Sequence, residues 1–88
     1  MRIIAGRRRG MKLISPKGDV SRPILDRVKG SLFSVLYQYD LPEGAMVADL
    51  FAGVGSLGLE AVSRGAQFVT FVERDAKVRA TLIKNIEK

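Results

Sequence analysis

The chain has 88 residues, 15 Lys and Arg against 9 Asp and Glu, a formal charge of +6, and neither cysteine nor histidine. That length holds one small domain with a modest core. Without cysteine there is no disulfide framework or thiolate metal site, and without histidine the commonest neutral-pH base and metal ligand is gone. No run is apolar and long enough to cross a membrane and no signal-peptide core opens the chain, so the expectation is a cytoplasmic protein with no membrane and no metal partner.

The charge is unevenly spread. Residues 1–30 carry a balance of +7 and residues 31–88 a balance of −1. A basic front end on a near-neutral body suits a polyanion, nucleic acid first. Charge alone also fits a solvated surface rich in basic residues.

In chain order, Arg2–Gly6 and Met11–Ser15 are two β-compatible runs around Arg7-Arg8-Arg9-Gly10. The spacing predicts a hairpin with three arginines at its tip. A guanidinium binds phosphate bidentately and stacks on bases, so Arg7, Arg8, Arg9 and Lys12 are candidate RNA contacts. Pro16–Val20 reads as a linker. Ser21-Arg22-Pro23 reads as a helix start, with Pro23 near the first turn, where it loses no hydrogen bond. Leu25, Val28, Leu32, Val35, Leu36 and Tyr39 recur at three- and four-residue spacing and predict a helix over Ile24–Tyr39 with one apolar stripe. Arg22, Arg27 and Lys29 fall on its first turns. Asp26 is expected in a local cap or ion pair with Arg22 or Arg27.

Pro42 and Gly44 break the chain into a turn over Asp40–Ala45. The apolar run Met46–Phe51 then predicts a strand carrying one carboxylate, Asp49. Gly53, Gly55 and Gly58 follow in G-x-G-x-x-G spacing. Leu57, Leu59, Ala61 and Val62 suggest a short helix stopped by Gly65. Glu60 on that helix is expected to be solvated or helix-paired. Gln67–Val72 predicts a strand covered on both faces, ending on Glu73. Asp75 is the expected N-cap of a last helix running to Lys88, with Val78, Leu82, Ile83 and Ile86 as its buried stripe.

Strand, glycine turn, helix, strand and terminal acid describe the nucleotide-binding half of a Rossmann-like fold. Gly53 permits the tight turn, Gly55 close approach to a ligand, and Gly58 helix–strand packing. Glu73 would accept hydrogen bonds from two ribose hydroxyls. A dinucleotide lays a pyrophosphate on such a turn, and Asp49 just upstream would repel it. S-adenosylmethionine has no phosphate; its sulfonium and ammonium suit a nearby carboxylate. The nicotinamide or flavin reading is the rival.

D-L-F-A-G-V-G-S-L-G-L-E-A-V-S-R-G-A followed by V-T-F-V-E-R-D resembles motifs I and II of the RsmD-type methyltransferases. M-R-I-I-A-G, S-P-K-G and R-P-I-L-D-R-V-K-G-S-L-F resemble that family's N-terminal signature. The resemblance spans nearly the whole chain. It implies S-adenosyl-L-methionine as cofactor and guanine N2 of 16S ribosomal RNA, in the small ribosomal subunit, as target. Asp49, Phe51, Gly53, Gly55 and Leu57 would line the methionine side, Glu73 the ribose, and the Arg74 backbone the adenine. Arg22 and Arg27 would lie beside the cleft.

The family's Asn/Asp-Pro-Pro-aromatic catalytic motif is absent, since Pro16, Pro23 and Pro42 are all isolated. The expectation is therefore the N-terminal part of an enzyme, inactive alone. It comprises a basic β-hairpin extension (1–20), a connecting helix and turn (21–44) and the first βαβα half of an incomplete α/β methyltransferase sheet (45–88). Open sheet edges predict self-association. A basic RNA-binding module without catalysis is the alternative.

Overall fold

The structure, a computed structural model, describes residues 1–15 and 26–88. Helix α1 spans Asp26–Tyr37, strand β1 Met46–Leu50, helix α2 Ser56–Ser63, strand β2 Phe68–Val72 and helix α3 Ala76–Ile86. The expected linker at 16–20, the helix start at 21–23 and Arg22 lie outside the described residues.

The two strands pair in parallel, with Met46 opposite Phe68 and Leu50 opposite Val72. The intervening α2 makes the crossover that a parallel pair requires. Its C-terminus closes as a Schellman motif: the Gly65 N–H donates to the Val62 carbonyl (3.1 Å) and the Ala66 N–H to that of Ala61 (2.9 Å). The expected N-cap of α3 is present, the Asp75 carboxylate accepting from the Lys77 and Val78 N–H groups at 2.9 and 3.0 Å.

The sheet departs from expectation on one side. Val47, Asp49, Val69 and Phe71 are half-buried, but the alternate residues are exposed, Met46 by 75%, Leu50 by 62% and Phe68 by 57%. A parallel sheet is normally covered on both faces; among the described residues only one face of this sheet is.

The N-terminal hairpin contracts to a single antiparallel bridge, Arg2 with Lys12. Three backbone bonds frame it, Ile3 N–H to Met11 O, Gly10 N–H to Ile3 O and Leu13 N–H to Met1 O, at 2.8–3.0 Å. Two strands this short are marginal alone. Side-chain burial supplies the rest: Ile3 and Leu13 join Leu59 of α2 in one core cluster, against which Phe71 of β2 also packs. Full burial of an aliphatic side chain of this size is worth about 1.5–3 kcal/mol.

Two helical stripes are corrected. On α1 the buried residues are Lys29 and Phe33, while Val28, Leu32 and Val35, and Tyr39 beyond the helix end, are exposed. The helix turns its Lys29–Phe33 line towards the arm and α2 because that line carries the polar partner of Glu60. On α3 the buried set is Val78, Leu82 and Asn85, with Ile83 and Ile86 half in solvent. Both sets keep helical spacing. In each, a polar residue occupies a core position that apolar periodicity assigns elsewhere.

Candidate cofactor site and basic arm

The glycine turn begins where β1 ends. The Ala52 N–H donates to the Val72 carbonyl at 2.8 Å, carrying the pairing two residues past β1. Phe51, Gly53 and Gly55 then take φ values of 59, 59 and 94°, and Gly55 serves as the N-cap of α2. A side chain at Gly55 would be strained by that φ, and its Cβ would fall 2.5 Å from Leu82 Cδ1 of α3. The sequence reserves Gly55 for ligand approach; in the fold, its left-handed backbone already favours glycine. Gly58 does what its position predicts, since a Cβ there would strike the Phe71 ring and the Asp49 carboxylate.

Glu73 closes the site. Its Oε1 accepts from the Gly53 N–H at 2.7 Å and its Oε2 from the Asp75 N–H at 2.8 Å. The acid at the tip of β2 thus holds the first glycine of the turn after β1. Each carboxylate oxygen keeps a further acceptor position for a ligand hydroxyl. Arg79 fastens the same corner, donating to the Glu73 carbonyl at 3.0 Å. Arg74 itself is exposed.

Asp49 lies one layer deeper. Its Oδ2 accepts from the Gly58 N–H at 3.0 Å, near the positive end of α2. Burial pushes its carboxyl above the ordinary carboxylate range, and the Gly58 hydrogen bond opposes part of that rise. With Leu32, Leu36, Val47, Leu57 and Gly58 it lines an apolar groove of about 170 Å³ between α1, β1 and α2. Small-molecule pockets usually begin near ~300 Å³, so this groove is too small for an adenosyl ligand by itself. Phe51 projects beyond it, 91% exposed.

The structure therefore brings Asp49 to Gly58 and Gly53 to Glu73, with Leu57 beside Asp49. Phe51 and Arg74 stand in solvent. Among the described basic candidates, Arg7, Arg8, Arg9, Lys12 and Arg27 are all exposed. The arm tip is nonetheless fixed through its backbone. The Arg7 N–H donates to the Ser63 carbonyl (2.8 Å) and the Arg8 N–H to Ser63 Oγ (2.9 Å), which in turn donates to the Ala5 carbonyl (2.6 Å). Asp26 pairs with Arg2 at 3.3 Å rather than with Arg27.

The expected helix pairing of Glu60 is present as its i, i+4 contact with Arg64, but sequence reasoning missed the buried polar cluster that surrounds it. Glu60 is fully buried, not solvated. Its oxygens take the Ile4 and Ala5 N–H groups at 3.0 Å each, Lys29 Nζ at 3.2 Å and Arg64 Nε at 2.7 Å. Arg64 also stacks 4.6 Å over the Phe33 ring. Lys29 is equally buried and reaches Ser56 Oγ at 3.0 Å. The i, i+4 spacing of Glu60 and Arg64 was the one available signal; nothing local marks Lys29 or Asn85. Among the described residues no carboxylate cluster could hold a metal, and no helix is long and apolar enough to cross a membrane.

Three helices on a two-stranded parallel sheet, with the turn and both acids at the C-terminal ends of the strands, define a small α/β unit. Over residues 1–88 the chain matches the family described as "Conserved hypothetical protein 95", and it belongs to that family, the RsmD family. It is 45% identical over 86 residues to "Ribosomal RNA small subunit methyltransferase D" of Escherichia coli, covering 98% of this chain and 42% of the relative. To the protein of the same description from Haemophilus influenzae it is 47% identical over 87 residues, covering 99% and 44%. A solved structure, "Putative methyltransferase yhhF" from Escherichia coli, superposes with a TM-score of 0.84 at 41% identity, covering 99% of this chain and 45% of that one. The chain thus spans less than half the length of these relatives.

Proposed function

We propose that this chain is the cofactor-binding, RNA-facing portion of an S-adenosyl-L-methionine-dependent methyltransferase acting on a guanine N2 of 16S ribosomal RNA. The observation that carries the reading is the Glu73–Gly53 contact, which joins the acid of the second strand to the glycine turn of the first. Relatives described as ribosomal RNA small subunit methyltransferases support the reaction class and the substrate.

The donor set fits the cofactor. Glu73 has acceptor positions left for two ribose hydroxyls, and Asp49 offers a second carboxylate near the turn for a sulfonium or ammonium. Gly53, Gly55, Phe51 and Leu57 would frame the methionine side, and the Arg74 backbone the adenine edge. When bound, S-adenosylmethionine supplies an electrophilic methyl group. This chain's residues bind and orient; alignment of a target amine belongs to residues it does not contain. Arg7, Arg8, Arg9, Lys12, Arg22 and Arg27 would hold RNA phosphates. The expected setting is the cytoplasm.

The test is calorimetric titration of the chain with S-adenosylhomocysteine, with Glu73→Ala as control. Binding that weakens at least about tenfold in the variant is expected, a loss of roughly 1.4 kcal/mol, as for one or two hydrogen bonds to a charged group. Equal binding by both proteins would remove Glu73 from the site. A second reading, an RNA-binding arm acting without catalysis, is favoured by the fixed backbone of the Arg7–Arg9 tip. It requires salt-dependent RNA binding that survives Glu73→Ala.

A further inference from the structure

Two fully buried side chains on different helices perform the same task. Lys29 of α1 donates from Nζ to the Arg2 carbonyl (2.9 Å) and to Ser56 Oγ (3.0 Å). Asn85 of α3 accepts at Oδ1 from the Ile14 N–H (2.7 Å), and its Nδ2 donates to the carbonyls of Ile14 (3.1 Å) and Val54 (2.9 Å). Arg2 and Ile14 lie on the two opposite runs of the basic arm. Val54 and Ser56 are the two neighbours of Gly55. Each run of the arm is therefore joined, through one buried polar side chain, to one flank of the glycine turn.

These ties cannot be dropped singly without cost. A buried amide or ammonium that loses a partner is left unsatisfied where water does not readily reach. The same arm is held a third time by Glu60, which binds the Ile4 and Ala5 N–H groups and also Lys29. The arm and the turn share their hydrogen-bond partners, whereas Arg7, Arg8 and Arg9 share none of these side-chain ties and remain free to meet a ligand.

We propose that the basic arm is part of the scaffold of the glycine turn, with Lys29 and Asn85 as positioning residues that fix the turn's conformation from the arm side. Displacing the arm then loosens the turn, and a polyanion that holds the arm down tightens it. The link to cofactor and RNA rests on the function proposed above; the link between arm and turn does not.

The test perturbs the arm at a point remote from the turn and reads the turn. Gly6 has φ +86°, and a Cβ there would collide with the backbone of Ser63, so Gly6→Ala forces the arm off α2. Amide hydrogen exchange is followed at Gly53 and Gly55, which donate to Glu73 and to the Ala52 carbonyl, and at Gln67, which bonds Ala45 across the far end of the sheet. The expected result is exchange at Gly53 and Gly55 faster by about tenfold or more, with Gln67 within about threefold of the wild type, as for a sub-global opening. Faster exchange confined to the arm would overturn the proposal. So would uniform acceleration at all three amides, which makes Lys29 and Asn85 general stabilisers only. Should Gly6→Ala fail to fold, Ser63→Ala, which removes only the side-chain bonds to Ala5 and Arg8, takes its place with the same readout. Titration of the variant with S-adenosylhomocysteine separates the two ideas. Failure of the wild type to bind counts against the proposed function, while the exchange result still decides the coupling.

Discussion

On the face of the sheet turned towards α2, Phe71 packs against Gly58 and the Ile3–Leu13–Leu59 cluster, and every buried side-chain polar atom among the described residues has a partner. On the opposite face Met46, Leu50, Phe68 and Val72 form an apolar surface with no described residue over it. The same two strands thus carry one finished face and one unfinished one. Apart from Asp49 on the covered face and Thr70 on the other, apolar side chains dominate both, so the difference is not chiefly in the strands. It lies in what the described residues supply: α2 and the arm complete one layer, and a parallel sheet needs a second. The relatives, more than twice as long as the stretch they share with this chain, have length enough to provide it.

The largest expected effect comes from breaking the finished face. Glu60→Ala removes the acceptor of Lys29, Arg64 and two backbone N–H groups at once. Deleting one partner of a buried ion pair costs about 3–5 kcal/mol, a large part of the roughly 5–15 kcal/mol that holds a domain together. Thermal denaturation followed by circular dichroism should show the cooperative transition lost or moved far down. A variant melting within a few degrees of the wild type would mean that the Lys29–Glu60–Arg64 set is not what fastens the arm.

Why that set escaped sequence reading is instructive. Local rules found what is local: the glycine turn, the Asp75 cap, the strand order and the Gly65 stop are each written in a few adjacent residues. The places of Asp49 and Glu73 in the fold were legible because strand–turn–helix spacing puts both carboxylates at strand ends whatever surrounds them. Lys29, Glu60 and Asn85 reach the interior only because partners 27, 31, 55, 56 and 71 residues away meet them there. A polar residue on an apolar-spaced helix reads as surface until its partner is known. Conversely, Val28, Leu32, Ile83 and Ile86 read as core because their periodicity is helical, yet the described residues leave each of them 40–49% exposed.

A smaller effect, of opposite sign, is expected at Asp49. Burial raises its carboxyl in the folded state, so between the ordinary aspartate range and the raised value the folded chain holds more protons than the unfolded one. Stability then falls as pH rises through that window, and the cost is fully present above it. Asp49→Asn keeps an acceptor for the Gly58 N–H and removes the charge. The difference in unfolding free energy between variant and wild type, from urea titrations between pH 3 and 7, should open in the variant's favour as pH rises and then level off. Binding of S-adenosylhomocysteine should weaken in the same variant. Stability gained while binding is lost would identify Asp49 as a carboxylate kept for a ligand at the expense of the fold. A wild type more stable than Asp49→Asn at neutral pH would instead make it a helix-capping group, its worth lying in the Gly58 bond.

The smallest effect on stability is expected on the unfinished face. Leu50→Lys and Phe68→Lys replace side chains that are already more than half exposed, and surface substitutions of this kind usually change stability by less than about 0.5 kcal/mol. Their effect should appear in association instead. We propose that the exposed apolar face and the open strand edges bring copies of this chain together, since unpaired edges and apolar patches both favour such contacts. Light scattering across a concentration series should then show mass rising with concentration in the wild type and held near that of one chain in the double variant. A wild type that stays monomeric throughout would sink the self-association proposal. The covered face, with its satisfied ions and its packed core, would then be sufficient to keep the 88 residues folded, and the apolar surface opposite would be tolerated in water at a cost the rest of the fold can carry.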